Sequence, residues 1–361
     1  MPSIHVNLGH RSYKILLHHA AAAQFPAWLD SLTKSKSVCL IYDRHVKMHA
    51  TALSIELQKT GITAHQVQVP SGENQKSLEG LSKLYDELAA LKADRSTPIL
   101  ALGGGVIGDL AGFAAATFNR GLPVIMIPTT LLAMVDSSVG GKVGINHQAG
   151  KNLIGAFHQP RGVWIDTQYL STLPPREYCS GMAEVIKYGM ILDAAFFQWL
   201  EEHVEAILQL EPAALDHLIT RSCELKAQVV EQDEYETTGL RALLNFGHTC
   251  GHAFEKVAGY GRLLHGEAVA IGMVCECRLA EKLGMIDDAL TQRLIKLLSR
   301  FQLPTAVSRR WSVDAMVEAM RHDKKNVGGK MRFVLPTRLG EVQAGYEVEA
   351  EIVQQLLRRD K

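Results

Sequence analysis

The chain has 361 residues, 47% apolar and 21% charged, and its 38 basic and 38 acidic side chains cancel to a formal net charge of zero. That balance argues against a nucleic-acid or anionic-membrane binder, and the length predicts two domains. No apolar run approaches the roughly 20 residues needed to span a bilayer, and the mixed start MPSIHVNLGHRSYKILLHH does not read as a signal peptide. Six cysteines are scattered without a C-x-x-C pair. They read as reduced, mostly buried thiols of a cytoplasmic protein.

Residues 3–17 predict a strand pair turning near Gly9 and His10. The apolar run 38–42 predicts a buried strand that ends at Asp43. A helix over 46–59, a strand over 63–69 and a helix over 78–92 follow. The loop before that helix carries Glu73 and Lys76. This alternation predicts a parallel sheet with helices on both sides. A strand over 98–102 then leads into Gly103-Gly104-Gly105-Val106-Ile107-Gly108-Asp109, with a helix expected from Leu110. The glycines match G-x-G-x-x-G. Between a strand and a helix, such a turn offers bare N–H groups to a pyrophosphate. A tight packing turn is the bland alternative. The acid expected about 20 residues later is missing. Pro128, Thr129 and Thr130 stand there, so Asp43 is the better ribose candidate.

After a buried strand at 124–128 comes a glycine-rich stretch with Asp136, Ser137, Lys142, Lys151 and Asn152. It is not a P-loop: Val143 replaces the Ser or Thr, and Asp136 occupies the first glycine position. Its lysines suit anionic oxygens, with solvated surface lysines as the alternative. Pro174 and Pro175 close the α/β pattern. This predicts domains of 1–175 and 176–361, the second dominated by helices.

Ser180 is a plausible N-cap for a helix bearing Glu184 and Lys187 on one face. Glu184 is a candidate metal ligand, against a plain surface ion pair. Lys226 lies on a later helix. A single helix over Leu240–Val257 would put Arg241, Asn245, His248 and His252 on one face. His248 and His252 have the i, i+4 spacing that presents two imidazoles to zinc. Thr249 stands where a zinc protease needs Glu. His265 follows a loop with Gly259 and Gly261 and is expected near a helix N-terminus. A catalytic metal takes three protein ligands, and spacing leaves open which two histidines bind. Asp323, Lys324 and Lys325 precede a returning strand, MRFVLP.

PTTLLAMVDSSVGGKVGINHQAGKNLIGAF, GMAEVIKYG, LLNFGHTCGHAFE and LHGEAVAIGM together resemble the 3-dehydroquinate synthase family, over roughly residues 42–335. The resemblance implies a Rossmann-like α/β N-terminal domain, an all-α C-terminal domain and an active site between them. It implies NAD and a divalent cation, zinc or cobalt, on Glu184, His248 and His265, with His252 on the substrate side. The implied substrate is 3-deoxy-D-arabino-heptulosonate 7-phosphate, a phosphorylated sugar acid. The implied course is oxidation of one alcohol, loss of phosphate, return of the hydride and an intramolecular aldol closure.

By the same resemblance, Lys226 and Arg241 belong near the substrate carboxylate. Lys151, Asn152, Asn245, His252, Arg120 and Lys324 or Lys325 belong near its phosphate. Asp136, Lys142 and Lys187 orient hydroxyls. The cofactor side takes Asp43, Ser71, Gly72, Glu73, Asn74, Gln75, Lys76, the turn Gly103–Asp109, Thr129, Thr130, Lys142, Lys151, Tyr169, Leu170, Ser171 and Thr172. A homodimer is implied, with Arg120 reaching the neighbour's site. His45 and Ser71 depart from the family's usual Asn and Asp, on the adenosine side. The rivals are a valiolone- or inosose-forming cyclase, a metal-dependent alcohol or glycerol dehydrogenase, and a non-catalytic NAD-binding regulator. The cyclase relatives tend to lose positions matching Lys226, Arg241, Asn245 or His252. A dehydrogenase has no need for this many anion-binding cations.

Overall fold

The computed structural model describes residues 2–259, 261–321 and 331–359. The chain forms two units. One is Met1–Pro174 with Leu215–Glu231, and the other is Pro175–Ala214 with Gln232–Lys361. The first division falls at the Pro174-Pro175 pair. The return of Leu215–Glu231 to the first unit was not expected. Its polar groups meet that unit: Lys226 Nζ donates to Asp136 Oδ1 and to the Asp136 carbonyl, both at 2.6 Å, and Cys223 Sγ reaches the Met134 carbonyl at 3.3 Å.

Among the described residues, nine strands belong to the first unit: β1 Ser3–Val6, β2 Tyr13–His18, β3 Ser37–Asp43, β4 Thr63–Val69, β5 Ile99–Gly103, β6 Val124–Pro128, β7 Lys142–His147, β8 Gly150–Phe157 and β9 Gly162–Asp166. Seven form one sheet in the order β1-β2-β9-β6-β5-β3-β4. Only β1 and β2 pair antiparallel in it. Strands β5, β6 and β9 are buried along their whole length, as a parallel sheet covered on both faces requires. The covering helices include α1 Phe25–Leu32, α2 Lys47–Lys59, α3 Leu78–Ala90 and α4 Gly105–Thr117. Ser77 caps α3 by accepting the Gly80 N–H at 3.1 Å.

Helix α4 starts at Gly105, not at Leu110, so the glycine turn is its first turn. The glycine-rich stretch contains a π-helical turn at Ala133–Ser137 and the antiparallel hairpin β7–β8. This hairpin packs on α4, where a Cβ on Gly112 would lie 2.3 Å from Val143 Cγ1.

The remaining helices are α5 Pro175–Leu192, α6 Ala194–Glu202, α7 Val204–Leu208, α8 Pro212–Gln232, α9 His248–Ala258, α10 His265–Lys282, α11 Asp288–Arg300, α12 Val313–Arg321 and α13 Ala350–Arg359. Most of α8 is the segment that returns to the first unit. Among the described residues the second unit is helical, with one antiparallel hairpin of β10 Met331–Arg338 and β11 Glu341–Val348. Phe254, Ile271, Met316, Met320, Phe333 and Leu357 join α9, α10, α12, α13 and the hairpin in one core. No described helix is long and apolar enough to cross a membrane. Asp323, Lys324 and Lys325 lie outside the described residues.

Two local expectations are corrected. Ser180 is not an N-cap: α5 already starts at Pro175, a residue suited to the first helical position. Ser180 is buried inside the helix, and its Oγ accepts the Gly266 N–H at 3.1 Å. Nor is Leu240–Val257 one helix. A 3-10 turn at Leu240–Asn245 precedes a break, and α9 then starts at His248. The break is Gly247, left-handed at φ +80°. Its N–H donates to Glu276 Oε2 at 2.7 Å. The shared face of Arg241, Asn245, His248 and His252 therefore does not exist as one helical stripe.

Helices α5 and α10 meet at Gly266, where a Cβ would sit 1.8 Å from the Ser180 carbonyl oxygen. Backbone cannot give way as a flexible side chain does. Gly266→Ala should therefore cost about 1–3 kcal/mol or more. Circular dichroism should show a melting point lower by several degrees. An unchanged melting point would mean that the two helices can part freely.

Candidate active site

In the first unit, the expected cofactor residues gather at the carboxyl ends of the parallel strands. Asp43 ends β3, Ser71 follows β4, Gly103 ends β5, Thr129 follows β6, and Tyr169 to Thr172 lie in the 3-10 turn after β9. Chain order reverses between β3 and β5, the switch point where doubly wound sheets bind ligands. Gly104, the N-cap of α4, has no side chain to cap the helix, so the N–H groups at its very start are left to an anion. Asp43 Oδ1 accepts from Ser71 Oγ at 2.6 Å and from the His45 N–H at 2.8 Å. His45 Nδ1 lies 2.8 Å from Ser71 Oγ. His45 and Ser71, the two departures, thus form one cluster with Asp43. The donor set fits a dinucleotide: a carboxylate for a ribose, and uncapped amides for a pyrophosphate.

Lys76 is buried. Its Nζ donates to Asp109 Oδ2 at 2.7 Å and to Asn152 Oδ1 at 2.6 Å, with Glu73 Oε1 at 3.5 Å. Burial opposes its charge, but the Asp109 and Glu73 carboxylates outweigh burial and raise its pKa. Burial pushes the Asp109 carboxyl up, against the pull of Lys76. Lys142 is exposed at the start of β7, and Lys151 and Asn152 lie near the turn in β8. Asn119, Arg120 and Gly121 all have positive φ, at 50°, 64° and 124°. Asn119 is tied down by its Nδ2 to the Ala93 carbonyl at 2.8 Å, and Arg120 stands exposed on that turn.

The second unit brings Glu184, His248 and His265 together. Glu184 Oε1 lies 3.6 Å from His248 Nε2 and 3.6 Å from His265 Nε2. One donor atom from each of the three lies within 4.8 Å of the others. Tetrahedral bonds of about 2.0–2.1 Å put donors roughly 3.3 Å apart, so the spacing fits a cation. The outer nitrogens fit as well. His248 Nδ1 donates to the Phe246 carbonyl at 3.1 Å, leaving Nε2 as the lone-pair side. His265 Nδ1 faces Glu255 Oε2 at 3.6 Å. Burial, with Lys187 adding, pushes His248 well below the usual imidazole pKa. For His265, burial is overcome by Glu184 and Glu255, which raise it to about 9. Lys187, fully buried, ion-pairs with Glu184.

Around this group, exposed His252 packs its ring 5.4 Å from His248 and 6.1 Å from His265. A second possible cation group is His252, Glu255 and His265. Asn245 Nδ2 donates to the Ala242 carbonyl at 3.2 Å. Arg241 is buried and donates to the Glu234 carbonyl at 2.7 Å. Asp233 holds its turn by accepting the N–H groups of Thr237, Thr238 and Arg241. Those bonds, Thr238 first, keep its carboxyl down at about 2.

Family models for the N-terminal and C-terminal parts of 3-dehydroquinate synthase match residues 66–180 and 181–326. A 3-dehydroquinate synthase of Desulforamulus reducens is 48% identical over 98% of this chain and 99% of its own. The chain belongs to the 3-dehydroquinate synthase family. Among solved structures, a 2-deoxy-scyllo-inosose synthase, complexed with carbaglucose-6-phosphate, NAD+ and Co2+, superposes with TM-score 0.90 at 25% identity over all of both chains. A 2-epi-5-epi-valiolone synthase from Streptomyces hygroscopicus, with NAD+ and Zn2+ bound, gives TM-score 0.89 at 28% identity over 98% of both chains.

Three residues of these sites escaped the sequence reading. Glu255, behind His265, had a signal in its i, i+3 spacing from His252. Glu276, which holds Gly247, stands as an acid in the apolar run of α10. Asn146, whose amide joins Glu73 to the Asn152 backbone, gave no signal.

A cation held by Glu184, His248 and His265 should be lost when one ligand goes. His265→Ala is expected to stay folded and to retain less than about a tenth of the metal, by elemental analysis of the purified protein. Full metal content in that variant would assign the cation elsewhere.

Proposed function

We infer that the protein converts 3-deoxy-D-arabino-heptulosonate 7-phosphate into 3-dehydroquinate and phosphate, a shikimate-pathway step toward the aromatic amino acids. The observation that carries this reading is the 48% identity to a 3-dehydroquinate synthase along almost the whole chain. The cofactors are NAD and a divalent cation, zinc or cobalt, supported by the donor sets described above and by the two related synthases solved with NAD+ and Zn2+ or Co2+. When bound, the two supply a reversible hydride acceptor and Lewis acidity toward a substrate oxygen.

The protein's own groups do the rest. Glu184, His248 and His265 hold the cation, with His252 left on the substrate side. Lys226 and Arg241 take the substrate carboxylate. Lys151, Asn152, Asn245, His252 and Arg120 take the phosphate and stabilise its charge as it leaves. Lys324 or Lys325 joins them. Asp136, Lys142 and Lys187 orient hydroxyls. Several of these cations start with an internal partner, as Lys226 does with Asp136. They are therefore held in place before substrate arrives, and little reorganisation is left for the reaction. Arg120 serves the neighbouring protomer of a homodimer, a role suited to its exposure on a tied-down turn. A cytoplasmic location accords with six free, buried cysteines.

Arg241→Ala should lower kcat/KM at least about tenfold, the scale of one charge-assisted hydrogen bond. A substrate analogue without the carboxylate should lose much less. Equal losses for both compounds would mean that Arg241 only braces its turn.

The reaction returns its hydride, so NAD far below the substrate concentration should support complete conversion. Free phosphate should match substrate lost one to one, and NADH absorbance should not accumulate. NMR should identify the product as 3-dehydroquinate. Stoichiometric NADH without phosphate release would make the protein a dehydrogenase.

A further inference from the structure

Asn146 sits where the β7–β8 hairpin loses register. Ile145 pairs with Ile154 and His147 pairs with Gly150, so Lys151, Asn152 and Leu153 on β8 face Asn146 alone on β7. Such a bulge bends a strand and re-aims its side chains. Asn152 takes left-handed backbone there, at φ 53°. Asn146 Oδ1 accepts the Asn152 N–H at 2.9 Å, and Asn146 Nδ2 donates to Glu73 Oε1 at 2.8 Å. One partner can only donate and the other only accepts, so the amide has a single workable orientation. The Asn146 N–H also donates to the Lys76 carbonyl at 2.8 Å. Lys76 Nζ closes the ring by donating to Asn152 Oδ1 at 2.6 Å.

We propose that Asn146 is a positioning residue that couples the dinucleotide loop Glu73–Lys76 to the bulge carrying Lys151 and Asn152. Cofactor binding and the phosphate-facing groups are then ordered together. The inference rests on the function proposed above, which gives those two segments their ligands. Asn146 itself needs no contact with either ligand. Its effect passes through Glu73 on one side and the Asn152 backbone on the other.

The test uses the metal-loaded enzyme. Asn146→Asp keeps the shape and the acceptor for Asn152 but turns a carboxylate toward Glu73. Calorimetry should show NAD binding weakened at least about tenfold, the scale of one lost bond to a charged group. KM for the heptulosonate phosphate should rise by a similar factor while kcat falls less than about threefold. In the double variant Asn146→Asp/Glu73→Gln, an amide again faces a carboxylate. NAD affinity should return to that of Glu73→Gln alone. Asn146→Ser, which removes both bonds without adding charge, supplies the same two readouts should Asn146→Asp not purify folded. Wild-type NAD affinity and KM in the Asn146 variant would overturn the coupling, as would penalties that simply multiply in the double variant. Wild-type enzyme that binds NAD but releases no phosphate would instead remove the function on which the inference rests.

Discussion

The helical unit depends on keeping one buried carboxylate compensated. Glu184 is 0% exposed on α5, where thirteen neighbours from Tyr178 to Ile191 are buried with it. A charge in such a place survives only if paired, and removing one partner of a buried pair costs about 3–5 kcal/mol. Three groups converge on it: Lys187 from its own helix, His248 from the start of α9 and His265 from the start of α10. The glycines around them follow from that demand. Gly266 lets α10 reach the α5 backbone, and Gly247 lets the chain turn so that α9 begins at His248.

The first unit solves the same problem with the signs reversed. Lys76 and Lys226 are buried cations, and each is met by carboxylates at hydrogen-bond distance. A chain of zero net charge has thus placed its unusual charges inside, in small compensated groups. Buried pairs of this kind contribute little net stability, because desolvation offsets attraction. Their value is geometric. A lysine already fixed by Asp109 or Asp136 needs little further ordering to meet an anion, whereas a free surface lysine loses about 2 kcal/mol of rotamer freedom.

The sheet was legible because its evidence is local. Apolar runs such as Ile99–Gly103 and Val124–Pro128 became strands, and the alternating order predicted their parallel pairing. The start of α4 is not legible because glycine has poor helix propensity, yet Gly105 and Gly108 lie within the helix. The β7–β8 hairpin was hidden by small residues that blur a two-residue period. The break at Gly247 was hidden for another reason. A left-handed glycine is ordinary after a helix turn, but its anchor, Glu276, lies 29 residues away. Lys226 groups with the first unit on the same ground, since nothing near it in sequence announces Asp136. Asn146 illustrates the limit most clearly: a lone asparagine in a glycine-rich stretch becomes specific only when a bulge aims it at two loops.

The choice among histidines shows what packing adds to spacing. Helical spacing favours His248 with His252, and the fold does bring their rings together. Yet the two possible cation groups share His265, whose Nε2 faces Glu184 and whose Nδ1 faces Glu255. With Nε2 toward Glu184, Nδ1 remains for Glu255. With Nδ1 on a cation beside His252 and Glu255, Glu184 keeps Lys187 but loses a compensating charge shared by two imidazoles. The Glu184 side chain is 1% exposed and Glu255 is 6% exposed, while His252 is open to solvent. The deeper carboxylate bears the larger desolvation cost and has the greater need of a cation. Two imidazoles whose outer nitrogens already face oxygen partners present their Nε2 atoms to it. That asymmetry supports the proposal that Glu184, His248 and His265 hold the cation, with His252 proposed for the substrate side.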